Sequence, residues 1–218
     1  MDKFYVSPST DPAKGLEDII KYADEIKDSA DFLHCDVMDG KFVERSTFDY
    51  NAIKLIKERT ALPLDVHLMV KEPSKVIQKY IDAGANVITV HYEAYQDKKK
   101  LDKDLKKITK SGCLCGISIK PKTDIYEIMH ILSLVDIVLL MSVEPGKSGQ
   151  VFINETYSKL IELDKLREDY SSKFKIEVDG GIKPEISHKL KRFGADIVVS
   201  GNFVYQSQDR LLAIKKLR

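Results

Sequence analysis

The chain has 218 residues, of which 43% are hydrophobic and 32% are charged, a balance that is typical of a folded globular protein and argues against disorder. Its 35 Lys and Arg residues against 34 Asp and Glu residues give a net charge of +1, so the overall charge favours neither nucleic acid nor an anionic membrane as a partner. The first residues do not have the pattern of a signal peptide, and the three cysteines have no C-x-x-C spacing, so we expect reduced thiols in a cytoplasmic protein.

Short apolar runs alternate with longer amphipathic segments along the whole chain. The apolar runs predict eight strands, at residues 4–9, 31–38, 63–70, 86–93, 113–119, 136–143, 174–180 and 196–201. Apolar residues at spacings of three and four predict helices over 16–26, 74–84, 155–168 and 185–194, and the charged segment 98–107 is predicted to be a helix with a solvated face. Because no Pro-, Gly- or Ser-rich linker interrupts this alternation, we expect one domain over 1–218.

The number of repeated units indicates the fold. Eight strand–helix units of about 27 residues each are what a closed (β/α)8 barrel requires. Parallel strands that are buried on both faces have continuous apolar runs, as several of these segments do. A doubly wound open sheet is the alternative, but it usually has fewer strands, and no G-x-G-x-x-G follows the first strand here. The sequence therefore predicts an α/β fold of the (β/α)8 TIM-barrel type.

Ionisable side chains occur inside three of the predicted strands, where apolar residues are expected. Because side chains alternate along a strand, they form three sets that each share one face: His34, Asp36 and Met38; Asp65, His67 and Met69; Glu177 and Asp179. The active sites of such barrels lie at the carboxyl ends of the strands, so we expect the three sets to converge. Two imidazoles with carboxylates suit a divalent transition metal such as Zn²⁺, Fe²⁺, Mn²⁺ or Co²⁺. The alternative is that each group only caps a helix or bonds to buried backbone.

Glycines follow the last three predicted strands, in the segments 141–150, 179–182 and 200–202. Glycine lets backbone N–H groups approach an anion closely, and the corresponding loops of such barrels often bind phosphate. A single glycine-rich turn is usually only a turn, but three in succession predict a phosphorylated ligand. The methionines at strand ends, Met38, Met69 and Met141, are expected to form an apolar wall around the reacting carbons.

Four separated segments, HCDVMDG, PLDVHLMV, MSVEPGKSGQ and IEVDGGI, together resemble the ribulose-phosphate 3-epimerase family, including its relatives that act on allulose 6-phosphate. The resemblance extends from 7–9 to 200–202 and implies a barrel of the ribulose-phosphate-binding type with one divalent metal ion, Zn²⁺ or Fe²⁺ in the first place. It implies epimerisation at carbon 3, from D-ribulose 5-phosphate to D-xylulose 5-phosphate, through a 2,3-enediolate. The alternatives are D-allulose 6-phosphate as the substrate, or a non-catalytic barrel that binds sugar phosphates.

The resemblance also assigns roles to residues. It implies that His34, Asp36, His67 and Asp179 are metal ligands and that Asp36 and Asp179 form the acid–base pair. The substrate-binding residues implied are Ser9, Met38, His67, Met69, Met141, Gly146, Gly149, Gly180, Gly181, Gly201 and Asn202. The expected partner is a small ketose phosphate rather than nucleic acid or a membrane, and the family's dimers and larger assemblies imply a homo-oligomer.

Five positions, in three segments, depart from the pattern of the family. Glu44 and Arg45 stand where most members have Pro-Asn, Lys147 and Ser148 replace a usual Phe-Gly, and Asn202 replaces a usual Ser. These loops follow strands whose ends carry the predicted site, so the departures are expected to affect substrate recognition rather than the type of reaction. Lys147 is expected to add a contact near the phosphate.

Overall fold

The computed structural model describes residues 3–218, which form one parallel sheet surrounded by helices. The strands are β1 (Tyr5–Pro8), β2 (Leu33–Met38), β3 (Leu64–Met69), β4 (Val87–His91), β5 (Leu114–Ile119), β6 (Ile137–Met141), β7 (Lys175–Asp179) and β8 (Ile197–Ser200). All eight predicted strands are confirmed, and each ends within two residues of the predicted limits.

The helices lie between the strands. They are α1 (Leu16–Ile26), α2 (Tyr50–Arg59), α3 (Ile77–Asp82), α4 (Lys98–Lys110), α5 (Glu155–Asp169), α6 (Pro184–Arg192), α7 (Asn202–Tyr205) and α8 (Arg210–Lys216). Short 3-10 helices, Pro73–Lys75 and Tyr92–Ala94, follow β3 and β4. The predicted helix 16–26 matches α1 at both ends, whereas 74–84 is divided between a 3-10 helix and α3. Within residues 3–218, no helix is long and apolar enough to cross a lipid bilayer.

The connection between β5 and β6 differs from the others because it is a 3-10 helix, Ile125–Leu134. Its buried residues include Ile125, Ile128 and Ile131, which recur at intervals of three. A 3-10 helix has three residues per turn, so this spacing places the three side chains in one row facing the sheet. The apolar period of the segment thus fits the tighter helix.

The strand order is β1-β8-β7-β6-β5-β4-β3-β2, and every neighbouring pair is parallel. The two remaining edges meet, because the Asp31 N–H donates to the Val6 carbonyl over 3.0 Å and the Thr10 N–H donates to the His34 carbonyl over 2.8 Å. These bonds join β1 to β2. The (β/α)8 barrel predicted from the sequence is confirmed.

Side chains of β2 and β3 alternate between two environments. The first set packs in the apolar layer beneath the helices: Leu33, Cys35, Val37, Leu64, Val66 and Leu68. The second set, on the opposite face, points into the barrel: His34, Asp36, Met38, Asp65, His67 and Met69. Burial of the apolar set therefore determines the register that directs the ionisable set to the barrel axis.

Candidate functional site

A cavity of about 740 Å³ lies at the carboxyl ends of the strands. Its wall contains every site residue predicted from the sequence except His34 and His67, which are buried beneath it. The predicted residues in the wall are Ser9, Asp36, Met38, Met69, Met141, Gly146, Gly149, Asp179, Gly180, Gly181, Gly201 and Asn202. The three sets of ionisable side chains therefore do converge.

Four side chains from β2, β3 and β7 meet at the floor of this cavity. One donor atom from each of His34, Asp36, His67 and Asp179 lies within 4.8 Å of the donor atoms of the other three. Asp36 Oδ1 is the central atom, because it lies 3.4 Å from His34 Nε2 and 3.3 Å from His67 Nδ1. Asp36 and His67 are direct partners in the register of β2 and β3, which explains their proximity.

The hydrogen bonds of His34 indicate whether this cluster fits a metal ion. His34 Nδ1 lies 2.6 Å from Asp65 Oδ2, so the carboxylate accepts the Nδ1 hydrogen. The other ring nitrogen, Nε2, is buried, points to Asp36, and has no hydrogen-bond partner within residues 3–218. An unpartnered imidazole nitrogen beside carboxylate oxygens is the donor set that divalent transition metals prefer. The four residues therefore fit the metal ion that the sequence predicts.

The charges around His34 support the same interpretation. Burial opposes a charge on this ring, but the carboxylates of Asp65 and Asp36 outweigh burial and hold the pKa of His34 well above its ordinary value. The surrounding carboxylates thus favour a positive charge at this point, which either a proton or a metal ion would supply.

The two carboxyl groups at the cavity floor have opposite protonation preferences. Burial raises the pKa of Asp179 to about 8, and the neighbouring charge of Asp36 adds to this effect. Burial also acts to raise the pKa of Asp36, but opposing contributions, led by the adjacent His34 ring, hold that pKa well below its ordinary value. In the metal-free site, burial and neighbouring charges therefore favour the protonated form of Asp179 and the ionised form of Asp36.

Ser9 orients one of these carboxyl groups. Its hydroxyl donates to Asp36 Oδ2 over 2.7 Å and accepts the Asp11 N–H over 2.9 Å. Asp36 therefore has one oxygen fixed by Ser9 and the other directed to the two imidazoles. Ser9 lies in the cavity wall, and its place near the substrate stays a prediction.

The methionines that end β2, β3 and β6 form part of the apolar wall. Met38, Met69 and Met141 are all buried, at most 4% exposed, and each contributes to the cavity wall. Apolar surroundings of this kind disfavour an ionised carboxyl group, in agreement with the raised pKa of the buried Asp179.

Glycines form the opposite side of the cavity because side chains would not fit. Gly149 has φ +81°, and a Cβ there would lie 2.8 Å from Asn202 Nδ2. Gly181 has φ +66°, and a Cβ there would lie 2.7 Å from the backbone nitrogen of Phe152. Both positions therefore favour glycine by their conformation, Gly181 also requires it for space because the clash is with backbone, and both expose backbone to the cavity. The cations Lys147 and Lys183 also line it.

Two of the residues that depart from the family pattern, Arg45 and Ser148, meet at Asp11, which was not predicted. Arg45 Nη1 lies 2.5 Å from Asp11 Oδ1, and the Ser148 N–H donates to Asp11 Oδ2 over 3.0 Å. We call this group, Asp11, Arg45 and Ser148, the Asp11 clasp. It joins the loops that follow β1, β2 and β6 at the cavity mouth. No local pattern indicated it, because Asp11 and Ser148 are 137 residues apart in the chain.

The chain is similar to known proteins in both sequence and structure. Residues 6–205 match a family model described as the ribulose-phosphate 3 epimerase family. The ribulose-phosphate 3-epimerase of Aquifex aeolicus is 39% identical over 193 residues, covering 88% of this chain and 86% of that protein. The enzyme of the same name from Bacillus subtilis is 37% identical over 206 residues, covering 92% of this chain and 94% of that protein. The crystal structure of a 3-hexulose-6-phosphate synthase superposes with a TM-score of 0.73, covering 98% of this chain and 97% of that chain. At 16% identity, this similarity shows the shared fold.

Proposed function

The chain belongs to the ribulose-phosphate 3-epimerase family and is an epimerase, and we propose that it interconverts D-ribulose 5-phosphate and D-xylulose 5-phosphate by inverting carbon 3. The observation that carries the proposal is the convergence of Asp36, Asp179, His34 and His67 on one cavity floor in a chain of this family. Two carboxyl groups with opposite protonation preferences are what inversion of a carbon next to a carbonyl requires.

The proposed reaction moves one proton off carbon 3 and returns one to the opposite face. In one direction, the ionised Asp36 takes the proton, the C–H electron pair forms the carbon–carbon double bond of a 2,3-enediolate, and the carbonyl oxygen gains the negative charge. The protonated Asp179 then returns a proton to the other face of carbon 3, and the carbonyl re-forms. In the reverse direction the two groups exchange roles, so both protonation states have to be accessible near neutral pH.

The metal ion in this proposal is held by His34, Asp36, His67 and Asp179, and Zn²⁺ or Fe²⁺ suits these ligands. When bound, it supplies a Lewis acid that stabilises the negative charge of the enediolate. Ser9 holds Asp36 Oδ2 in place through its hydroxyl, so the carboxylate keeps one orientation during proton transfer.

The far end of the substrate is proposed to bind at the glycine side of the cavity. The backbone at Gly149, Gly181 and Gly201, with the side chains of Asn202 and Lys147, lines this side. Backbone N–H groups and a cation together suit a phosphate group. Fixing the phosphate there would orient carbon 3 between the two carboxyl groups. Proton transfer between carbon 3 and each carboxyl group then occurs within one complex, as an effectively unimolecular step.

Asparagine substitutions test the acid–base assignment. Asp36→Asn and Asp179→Asn are each expected to lower kcat on D-ribulose 5-phosphate by about two decades or more, because a general acid or base contributes that much. The matched control is Asp169→Asn, which changes an exposed carboxylate at the end of α5 and should leave kcat unchanged. Metal content, measured on every sample, separates a lost proton-transfer group from a lost metal ion.

Hydrogen exchange in ²H₂O sharpens the test. If two groups act on opposite faces, a variant that keeps one of them should exchange the carbon-3 hydrogen of only one epimer, and the other variant should exchange that of the other epimer. Exchange of both epimers by a single variant would refute the two-carboxyl assignment. The ratio of kcat/KM for D-ribulose 5-phosphate and D-allulose 6-phosphate decides between the two substrates. Removal of the metal ion with a chelator, followed by addition of metal, tests the role of the Lewis acid.

A further inference from the structure

Strand β4 ends in two ionisable residues that the reaction above does not use. His91 is the last residue of the strand and is fully buried, and Glu93 lies in the 3-10 helix that follows. His91 Nε2 lies 2.9 Å from His67 Nε2, and His91 Nδ1 lies 3.1 Å from Glu93 Oε2. A continuous row of polar contacts therefore runs from Asp36 through His67 and His91 to Glu93.

The contact between the two histidines requires one hydrogen. Two imidazole nitrogens at 2.9 Å repel each other unless one of them carries a hydrogen that the other accepts. The ring planes of His67 and His91 are inclined by 29°, with centroids 4.9 Å apart. Either ring can supply this hydrogen, depending on its tautomer.

The contact with Glu93 determines which of the two histidine rings donates the hydrogen. If His91 donated from Nε2, its neutral ring would turn the bare lone pair of Nδ1 to the Glu93 carboxylate, and two acceptors would face each other at 3.1 Å. If His91 instead accepts at Nε2, its Nδ1–H donates to Glu93, and both contacts are satisfied. Because His91 is fully buried, a neutral ring that carries its one hydrogen on Nδ1 is the form that these two contacts require. His67 is therefore the donor.

Glu93 is itself held in one orientation. Its second oxygen, Oε1, accepts the Lys120 N–H over 2.7 Å and also accepts the Thr123 hydroxyl hydrogen. The Phe42 ring packs against His91 with centroids 4.7 Å apart. Backbone and side-chain contacts from the loops after β2 and β5 thus fix the orientation of Glu93 and His91.

We propose that His91 and Glu93 are positioning residues that keep the hydrogen of the neutral His67 ring on Nε2, so that Nδ1 presents a free lone pair to the metal site. The proposal rests on the metal-binding role proposed above for His67. His67 Nδ1 faces Asp36 Oδ1 at 3.3 Å, and a hydrogen on Nδ1 would bond to that carboxylate and block the ligand position. The shorter contact of Nε2 with His91, at 2.9 Å, holds the hydrogen on Nε2 instead. Asp65 does the equivalent for His34 by accepting its Nδ1 hydrogen.

The substitution Glu93→Gln reverses the direction of the row with almost no change in shape. Lys120 and Thr123 both donate to the Oε1 position, so the single oxygen of the new amide is expected there and its NH₂ group faces His91 Nδ1. His91 then becomes a donor at Nε2, and His67 is forced to carry its hydrogen on Nδ1. A residue that only fills space would not be sensitive to this change.

Nitrogen-15 NMR of the metal-free protein measures the outcome directly. The chain has five histidines, so long-range ¹H–¹⁵N spectra of ¹⁵N-histidine-labelled protein resolve each tautomer. We expect the wild-type His67 ring to carry its hydrogen on Nε2 and the His91 ring to carry its hydrogen on Nδ1, and we expect both to reverse in Glu93→Gln. The control Glu58→Gln changes an exposed glutamate on α2 and should leave every signal in place. A wild-type His67 with its hydrogen on Nδ1, or unchanged tautomers in Glu93→Gln, would overturn the proposal.

Zn²⁺ affinity provides the second readout. In competition with a chromophoric chelator, Glu93→Gln is expected to bind Zn²⁺ about 10–100-fold more weakly than the wild type, the usual cost of losing such an outer contact. His91→Phe, which keeps a ring but removes the acceptor, should weaken binding similarly, and His91→Gln, which restores an acceptor, should recover part of it. Equal affinity in all variants would refute the positioning role. Absence of Zn²⁺ binding by the wild type, with the expected tautomers, would refute only the proposed metal role.

Discussion

The Asp11 clasp provides a prediction whose size follows from the structure. The change is Arg45→Gln, which removes the cation that faces Asp11 Oδ1 at 2.5 Å. The Asp11 side chain is only 5% exposed, whereas the Arg45 side chain is 42% exposed. A fully exposed ion pair contributes up to about 1 kcal/mol, and breaking a buried pair costs about 3–5 kcal/mol. Because only one partner is buried, we expect a loss of about 1–2 kcal/mol in the free energy of unfolding.

The same change should affect substrate binding. The Asp11 N–H donates to Ser9, and Ser9 donates to Asp36, so the clasp is connected to the cavity floor by two hydrogen bonds. Without Arg45 the loops after β1 and β2 lose a contact that holds them at the cavity mouth. If about 1.4 kcal/mol of this contact is used to keep the cavity in its binding conformation, KM rises about tenfold while kcat changes less.

A double-mutant cycle measures the contact. Urea unfolding and steady-state kinetics of Arg45→Gln, Asp11→Asn and the double variant give the coupling energy between the two side chains. Asp11→Asn keeps the shape of the side chain, removes its charge and replaces one of its two acceptor oxygens with an NH₂ group. The control is Arg59→Gln, which changes an exposed arginine at the end of α2. A coupling energy below about 0.3 kcal/mol, or an unchanged KM in both single variants, would show that the clasp does not hold the cavity.

Two further predictions concern stability. Gly116→Ala should lower the free energy of unfolding by about 1–3 kcal/mol, because the new Cβ would lie 2.1 Å from Thr89 Oγ1 inside the barrel. Urea titrations measure this loss, and a value below about 0.5 kcal/mol would contradict the prediction. Asp31 should make stability depend on acid pH: burial acts to raise its pKa, but bonds from Lys3 and Arg218 outweigh burial and lower it below the ordinary 3.8. The ionised Asp31 therefore stabilises the protein fully above pH 3.8, and this stabilisation is lost as the pH falls through the lowered pKa. Asp31→Asn should make the free energy of unfolding depend less on pH in the acid range. An unchanged pH dependence would refute the assignment.

The fold could be predicted from sequence because its signals are local. The period-two and period-three-or-four patterns of apolar residues specify strands and helices one at a time, and their number excludes most other architectures. The segment Ile125–Leu134 is the exception. Its apolar interval of three also occurs on α-helices, so the sequence pattern did not distinguish the 3-10 helix that the structure contains.

The candidate site could be predicted only in part. His34, Asp36 and His67 were identified because ionisable residues inside buried strands are costly unless they have a role. Asp11 was not identified, because nothing in 7–12 distinguishes it from a turn residue. His91 and Glu93 lie at the end of a predicted strand, but whether such residues face the core or the cavity depends on contacts such as that of His91 with His67, 24 residues away.

The sequence by itself determined the barrel, the residues that line its carboxyl ends and the chemical character of the site, since alternation along each strand specifies which side chains are inside. The tertiary structure alone decided how these side chains are oriented and protonated. Pairing of β3 with β4 brings His67 to His91, and the barrel brings Asp11 to Ser148 across 137 residues of chain. The position of a hydrogen on an imidazole, or the pKa of Asp179, depends on such contacts, because burial and neighbouring charges exist only once the barrel has closed.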